Sequence, residues 1–240
     1  GQGIRRSDLN GRIVGALRID RDRPCGRAFM GRITAPDLTL IRRTKRVLGC
    51  ETLANPLRET MAAILEGEKL RLRRACADDV DTRLSLGNHA EIIEMFGVSR
   101  SAVRPLTRDG AARWVQRLID HSHAWVIEVH GRLAGEIRLD NVDLHDRRAS
   151  MAIGILDPAL LGKGMGTEAI LLLLRHAFVD LQLHRIGIRV IAYNKRAIRA
   201  YEKCGFVVEG REREAAFVNG AWHDDVMMGL LEHEFSSRNS

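Results

Sequence analysis

The stretch LDPALLGKGMGTEA, residues 156–169, decides how this chain folds. Pro158 ends the strand-like run before it, and Gly162, Gly164 and Gly166 lead into a helical run from about Gly164 to Leu181. That run is apolar almost all round, at Ala169 to Leu174 and again at Ala177, Phe178, Val179 and Leu181, as in a helix buried against a sheet. Glycines let a backbone approach a ligand closely and adopt positive φ. The first turn of a helix offers unpaired N–H groups and the positive end of the dipole. Together these make a site for a diphosphate, with Lys163 adding charge. Spacing separates the alternatives. The ATP-binding loop GxxxxGK[ST] is absent, because Lys163 is followed by Gly164. The dinucleotide fingerprint is matched formally by Gly164, Gly166 and Ala169, but it asks for an acid at the end of the next strand, which closes instead on Ala192-Tyr193-Asn194. A glycine-rich turn that only lets the helix pack is the remaining alternative.

Working outward, Leu70 and Leu72 alternate with Arg71 and Arg73, a strand signal. Helical patterns follow from Ala77-Asp78-Asp79 to about Leu86, over His89 to Phe96, and after Thr107, with Ala111, Trp114, Val115 and Leu118 at helical spacing. Four strand-like runs come next: Ala124–Val129, Leu133–Leu139, Ala149–Leu156 and Arg185–Ala192. His130-Gly131-Arg132 makes a hairpin of the first two, and a polar loop from Asp140 to Arg148 joins the second and third. The buried helix lies between the third and fourth runs, and strand, helix, strand in that order implies a right-handed parallel crossover. Lys195 to Lys203 forms another helix ending at Gly205, and Phe206–Val218 and Trp222–Leu231 close the chain around the turn Asn219-Gly220. The expectation is an α/β domain with a mixed sheet.

The second informative stretch is AYNKRAIRAYEKCGF, residues 192–206. Asn194 ends a strand and is able to hydrogen-bond an amide. Tyr201 follows seven residues later, two helical turns on, on the face that carries Ile198. Its phenol holds a proton at neutral pH and is suited to protonating a leaving thiolate; a lone tyrosine reads first as a half-buried core residue, but its pairing with Asn194 and the glycine turn reverses that reading.

In combination these motifs resemble the GCN5-related N-acetyltransferase (GNAT) superfamily over about residues 68–234. The glycine turn is similar to the family's acetyl-CoA pyrophosphate loop [QR]xxGx[GA], with Leu161 where Gln or Arg is usual and Gly162-Lys163-Gly164-Met165-Gly166 following. NKRAIRAYEKCGF is similar to the family's Asn-x-x-Ala-x-x-x-Tyr-x-x-x-Gly-Phe segment. LDNVDLHDRRASMAIGI and FVNGAWHDDVMMGLLEHEF resemble the branch of ribosomal-protein N-terminal and spermidine N-acetyltransferases. The resemblance implies a GNAT fold: a mixed central sheet of about seven strands with a splayed parallel pair in the middle, flanked by helices. It implies acetyl transfer from the cosubstrate acetyl-CoA to a primary amine by direct attack in a ternary complex, without a metal. Ile155, Leu156, Gly162, Lys163, Gly164, Met165, Gly166, Thr167 and Asn194 are then expected to hold acetyl-CoA, and Tyr201 to be the general acid. Glu136, on a strand face shared with Arg138 and Asp140, is the candidate base, directly or through water, with a solvated strand face as the alternative; Ser150 stands where the branch often has a glutamate, so that base is missing here. Asp140, Asp143, His145 and Asp146 are expected to flank the cleft and attract a cationic amine, or to be a solvated loop.

Composition bounds the remainder. At 240 residues and 45% hydrophobic, the chain is able to bury a sizeable core. The net charge of +7 is uneven: residues 1–66 hold 13 basic and 7 acidic residues, a net of +6. This basic N-terminal extension carries no motif and is set apart from an acetyltransferase domain over residues 67–240. Its single aromatic, Phe29, argues against base stacking, so nucleic acid is not an expected partner. The expected partner is an amine-bearing small molecule or peptide, with a homodimer allowed. The longest apolar run, Ala169 to Leu174, is far short of the ~20 residues that span a bilayer, so no membrane partner is expected. No secretory signal is expected either. Four scattered cysteines without a CxxC argue against a disulfide scaffold or zinc ribbon and for the cytoplasm. A GNAT-like module that senses acyl-CoA without catalysis is the alternative function; Tyr201 and Asn194 favour the enzyme.

Overall fold

The computed structural model describes residues 64–237, so the extension expected over residues 1–66 lies outside the described residues up to residue 63. Eight strands form one sheet: β1 Leu65–Glu66, β2 Arg71–Arg73, β3 Ala124–Val129, β4 Arg132–Asp143, β5 Arg148–Ile155, β6 Arg185–Ile191, β7 Val207–Val218 and β8 Ala221–Leu231. They lie in the order β1-β2-β3-β4-β5-β6-β8-β7. Around them pack α1 Asp79–Leu86, α2 Ala90–Glu94, α3 Arg108–Asp120, α4 Met165–Arg175, α5 Lys195–Cys204 and α6 Glu232–Ser236. The expected mixed sheet is present, with one strand more than the seven foreseen. The extra strand is the short β1, in which Leu65 and Glu66 pair with Leu72 and Arg71. Sheet pairing therefore begins two residues before the boundary placed at residue 67, because a two-residue strand leaves no period to read.

Every neighbouring pair is antiparallel except β5–β6. That pair is parallel and short: Arg148, Ala149 and Ser150 lie against Arg185, Ile186 and Gly187, and the pairing stops there. β5 nevertheless stays paired with β4 as far as Ile155, and β6 with β8 as far as Ile191. The two strands thus splay apart over their C-terminal halves.

Both faces of the sheet are covered, which is why β3 reads AWVIEV rather than as a clean alternation. On one face Trp125, Ile127, Ile137 and Leu139 pack with Ile170, Leu173 and Leu174 of α4 and with Tyr201 and Cys204 of α5. On the other, Ala124, Val126 and Leu133 meet Trp114, Val115 and Leu118 of α3. Thr107 caps α3 by accepting from the Gly110 amide at 3.1 Å, as its position predicts. The buried helix changes character near its end. After Arg175 the turn His176–Asp180 is π-helical, with His176 Nδ1 2.7 Å from the Asp180 carboxylate.

Charges lock the α1–α3 layer to the sheet. Arg73 of β2 donates to Asp79 at the start of α1 at 2.6 and 2.9 Å and also to Glu128 of β3, which Arg71 reaches at 2.6 Å. Burial alone would raise both carboxyls, but the arginine hydrogen bonds outweigh it and hold Asp79 and Glu128 below the usual carboxylate range. Arg74 donates to four carbonyls, of Ile119, His121, Ser122 and Ala124, at 2.7–3.1 Å, and so satisfies the C-terminal end of α3.

The polar segment Asp140–Arg148 proves shorter as a loop than the sequence suggests. β4 runs on to Asp143 through a bulge, and only residues 144–147 turn. At the other end of the same hairpin, Gly135 and Gly154 let β4 and β5 cross closely: a side chain at Gly135 would overlap the Gly154 carbonyl oxygen. Gly135→Ala is therefore expected to cost about 1–3 kcal/mol, the usual penalty for overpacking. A lowered urea midpoint with an unchanged slope checks this.

Candidate active site

The glycine turn is built as its residue types require. Asp157 caps a single 3₁₀ turn, Pro158–Leu160, by accepting from the Ala159 amide at 2.8 Å. Gly162 and Gly164 follow at φ +75° and +86°, left-handed conformations that a β-carbon resists. Met165 is buried and anchors the start of α4. The first α-helical hydrogen bond runs from the Glu168 amide to the Gly164 carbonyl at 3.0 Å, so the amides of Met165, Gly166 and Thr167 precede it, and no side chain caps them. A side chain built at Gly166 would meet only Ile155 Cγ1, at 4.0 Å. The space in front of these amides is open, and the cradle fits an anion.

Next to the turn lies a cleft of about 310 Å³ at the open end of β5 and β6. Leu161 of the turn, Tyr193 and Asn194 after β6, Lys195 and Arg196 of α5, and Glu91 and Met95 of α2 line it. Asn194 works in two directions. Its Oδ1 caps α5 by accepting from the Ala197 amide at 3.1 Å, and its Nδ2 donates to the Met95 carbonyl at 3.3 Å. Tyr193 donates its hydroxyl to the Glu94 carbonyl at 2.7 Å, and burial, with Glu94 and Asp225 nearby, pushes its phenol up to about 12.

Tyr201 sits on the inner face of α5, 6% exposed, against Phe206 and beside Cys204, whose thiol reaches the Thr167 carbonyl at 3.7 Å. The two sequence motifs are therefore brought together, α5 lying against the first turn of α4. Burial, with the Cys204 thiol adding to it, raises the Tyr201 phenol well above its ordinary value. Burial also pushes the Cys204 thiol up to about 12.

Glu136 lies on the opposite face of the sheet, also 6% exposed, with Gly154 as its neighbour on β5. One carboxylate oxygen accepts from Arg138 at 3.2 Å, while the other is buried and accepts no hydrogen bond. The Nε of Arg83 on α1 is likewise buried without a partner. Burial lowers the Arg83 guanidinium to about 10, partly offset by Glu136. This face is a buried charge cluster and not a solvated strand. It continues through Arg138 to Asp140, which His121 also reaches at 3.1 Å.

Two groups of expected residues lie elsewhere. Asp143 accepts from the amides of His145 and Asp146 at 2.9 and 3.0 Å and so builds the 144–147 turn. With His145 and Asp146 it stands at the closed end of β5, about 20 Å of extended strand from the open end, and these residues do not flank the cleft. Ser150 belongs to the last parallel pair, also short of the opening. Leu156 packs toward the α3 layer, and its amide is taken by the Ala134 carbonyl at 2.8 Å, whereas Ile155 borders the anion cradle. Tyr193, Glu91 and Met95 escaped the sequence reading. The adjacency of Tyr193 to Asn194 was the one local signal, while Glu91 and Met95 come from another part of the chain.

The sequence profile of the acetyltransferase (GNAT) domain matches residues 69–207, more than half of the chain. The chain belongs to the GNAT acetyltransferase family. It is 28% identical over 171 residues to the prophage-derived uncharacterized N-acetyltransferase YokL of Bacillus subtilis, covering 70% of this chain and 93% of that one. It is 33% identical over 111 residues to the spermidine N(1)-acetyltransferase of Escherichia coli, covering 46% of this chain and 59% of that enzyme. Among solved structures, the spermidine N-acetyltransferase of Vibrio cholerae, in complex with CoA and spermine, superposes with a TM-score of 0.60 at 27% identity, covering 71% of this chain and 99% of that one. This GNAT chain is thus an acetyl-CoA-dependent N-acetyltransferase, with acetyl-CoA as its cosubstrate. Among the described residues no helix is long and apolar enough to cross a membrane, and no cluster of His, Cys, Asp and Glu is arranged to hold a metal ion.

Gly166 offers a test without backbone strain, since its φ is not left-handed. Gly166→Leu is expected to keep the unliganded melting temperature and to weaken acetyl-CoA binding at least tenfold, the scale of one or two lost charged hydrogen bonds (~1.5–3 kcal/mol each). Calorimetric titration of both proteins measures it, and unchanged affinity would remove the glycine turn from acetyl-CoA binding.

Proposed function

We propose that the chain acetylates the primary amine of a polyamine, peptide or aminoglycoside-like molecule, with Tyr201 as general acid and Glu136 as general base. One observation supports this reading: the cleft at the open end of β5 and β6 is bounded by Leu161 of the glycine turn and by Asn194, so the two motifs border one opening. Ile155, Gly162, Lys163, Gly164, Met165, Gly166, Thr167 and Asn194 are assigned to acetyl-CoA. The splay leaves strand edges without a ladder partner, which an extended pantetheine arm is suited to pair with.

In the proposed reaction the amine nitrogen attacks the acetyl carbonyl carbon, and the carbon–sulfur bond breaks. The departing thiolate takes the Tyr201 proton, and the amine's surplus proton passes to Glu136. Burial keeps the Tyr201 phenol protonated, as a general acid requires. The unpartnered Glu136 oxygen is available to a proton, directly or through water. We also assign catalysis to residues 67–240 and its location to the cytoplasm, and treat the basic extension as dispensable for turnover.

Acetyl-CoA-dependent thiol release across a panel of amines tests the activity. Tyr201→Phe is expected to lower kcat by about 10²–10⁴-fold, the range of general acid catalysis, with acetyl-CoA affinity kept. A rate within about twofold of wild type, well short of that range, would leave thiolate protonation to solvent. A chain starting at residue 64 is expected to retain wild-type turnover. A folded truncation without activity would show that the extension completes the site.

A further inference from the structure

One wall of the cleft is made by Glu91 and Met95, in a segment that runs on from α2 to the 3₁₀ turn Arg100–Ala102. Its local backbone hydrogen bonds form only single turns. α2 is five residues long and has no side-chain cap, and a helix of that length does not persist by itself. Its side-chain ties to the rest of the fold are few. Two come from the acetyl-CoA side, Tyr193 to the Glu94 carbonyl and Asn194 to the Met95 carbonyl. The others converge on one residue more than a hundred positions away, Asn219, in the turn between β7 and β8. Its Nδ2 donates to Glu94 Oε1 at 2.5 Å, and its Oδ1 accepts from the Arg100 amide at 2.9 Å. Its own amide donates to Ser99 Oγ at 2.9 Å. Arg100 closes the loop by donating to Glu94 Oε2 at 2.7 Å. Asn219 has φ +51°, a conformation that asparagine tolerates and that an Asn-Gly hairpin turn calls for. The turn chemistry therefore explains an Asn here but not its side-chain reach into α2.

The wall has two consequences for the site. Glu91 and Met95 line the cleft directly. Phe96, one residue beyond them, places its ring over β5 at Gly154, where a β-carbon would come within 3.0 Å of it, and Gly154 is the strand neighbour of Glu136. With the thioester entering from the glycine turn, the amine has to come in along this wall.

We infer that Asn219 is a positioning residue for the amine acceptor: by tying Glu94, Ser99 and Arg100 to the β7–β8 turn it fixes the acceptor wall, and so sets amine affinity without touching acetyl-CoA. The inference rests on the proposed acetylation of an amine and adds to it the determinant of acceptor binding. Asn219→Gly removes the side chain and keeps the left-handed turn without strain. With the best amine of the panel, its KM is expected to rise about tenfold, the scale of one or two lost hydrogen bonds. The kcat and the Kd for acetyl-CoA are expected to stay within about twofold, well under that tenfold step. Asn219→Asp sets two carboxylates against each other and is expected to raise KM further. Adding Glu94→Gln to it restores a donor facing an acceptor and is expected to recover most of the loss. Amide hydrogen exchange over residues 90–102 is expected to quicken in Asn219→Gly and to return toward wild type in the double variant. An unchanged amine KM in an active Asn219→Gly enzyme overturns the inference, as does a loss of acetyl-CoA affinity equal to the loss for the amine. A wild-type chain that acetylates nothing would overturn the functional reading instead. Exchange then decides the inference alone, and unchanged exchange over residues 90–102 overturns it.

Discussion

Three residue pairs hold the parallel strands together, and the site exists because the pairing stops there. Beyond Ser150 and Gly187, β5 and β6 go on along their antiparallel neighbours and not along each other. Buried backbone groups need partners, so an opened ladder in the middle of a sheet is costly unless something else fills it. The surroundings are arranged to hold the gap open at that cost. The glycine turn, Asn194 with α5, and α2 line it. Pairing the strands fully would stabilise the sheet and remove the cleft.

Charge is distributed to match. Arg73 with Asp79 and Glu128 forms buried pairs that fasten α1 to the sheet. Such pairs are strongly destabilising when one partner is lost, because the other is left buried and uncompensated. The second cluster, Glu136 with Arg138 and Arg83 beneath α1, is incompletely paired: one carboxylate oxygen and one guanidinium nitrogen have no partner. The contrast between the two clusters sets Glu136 apart from Glu128, although both are buried strand glutamates.

The α2 wall occupies a third position between these. It lies between helices that are locked to the sheet, yet its own order is borrowed from the end of β6 and from the β7–β8 turn. Segments that must admit a substrate are drawn from the less stable parts of a fold, and one held by a few side-chain hydrogen bonds is easily tuned.

Residues close together in the chain were legible. The glycine turn, the Asn194-to-Tyr201 helix, the hairpin turns and the parallel crossover follow from turn chemistry and periodicity, because glycine, proline and amphipathic spacing act over a few residues. The limits of reading fell where no local period exists: β1 has two residues, and the bulged end of β4 looks like a loop because its polar side chains build a turn. Tertiary structure alone decided which groups share the cleft. It moved Asp143, His145 and Asp146 to the far end of β5, buried Glu136 in a charge cluster, and joined Glu94 to Asn219 across 125 positions. Such contacts cost chain entropy that only the assembled sheet repays, so the sequence determined the elements and their chemistry, and the packing of the sheet decided what those elements face.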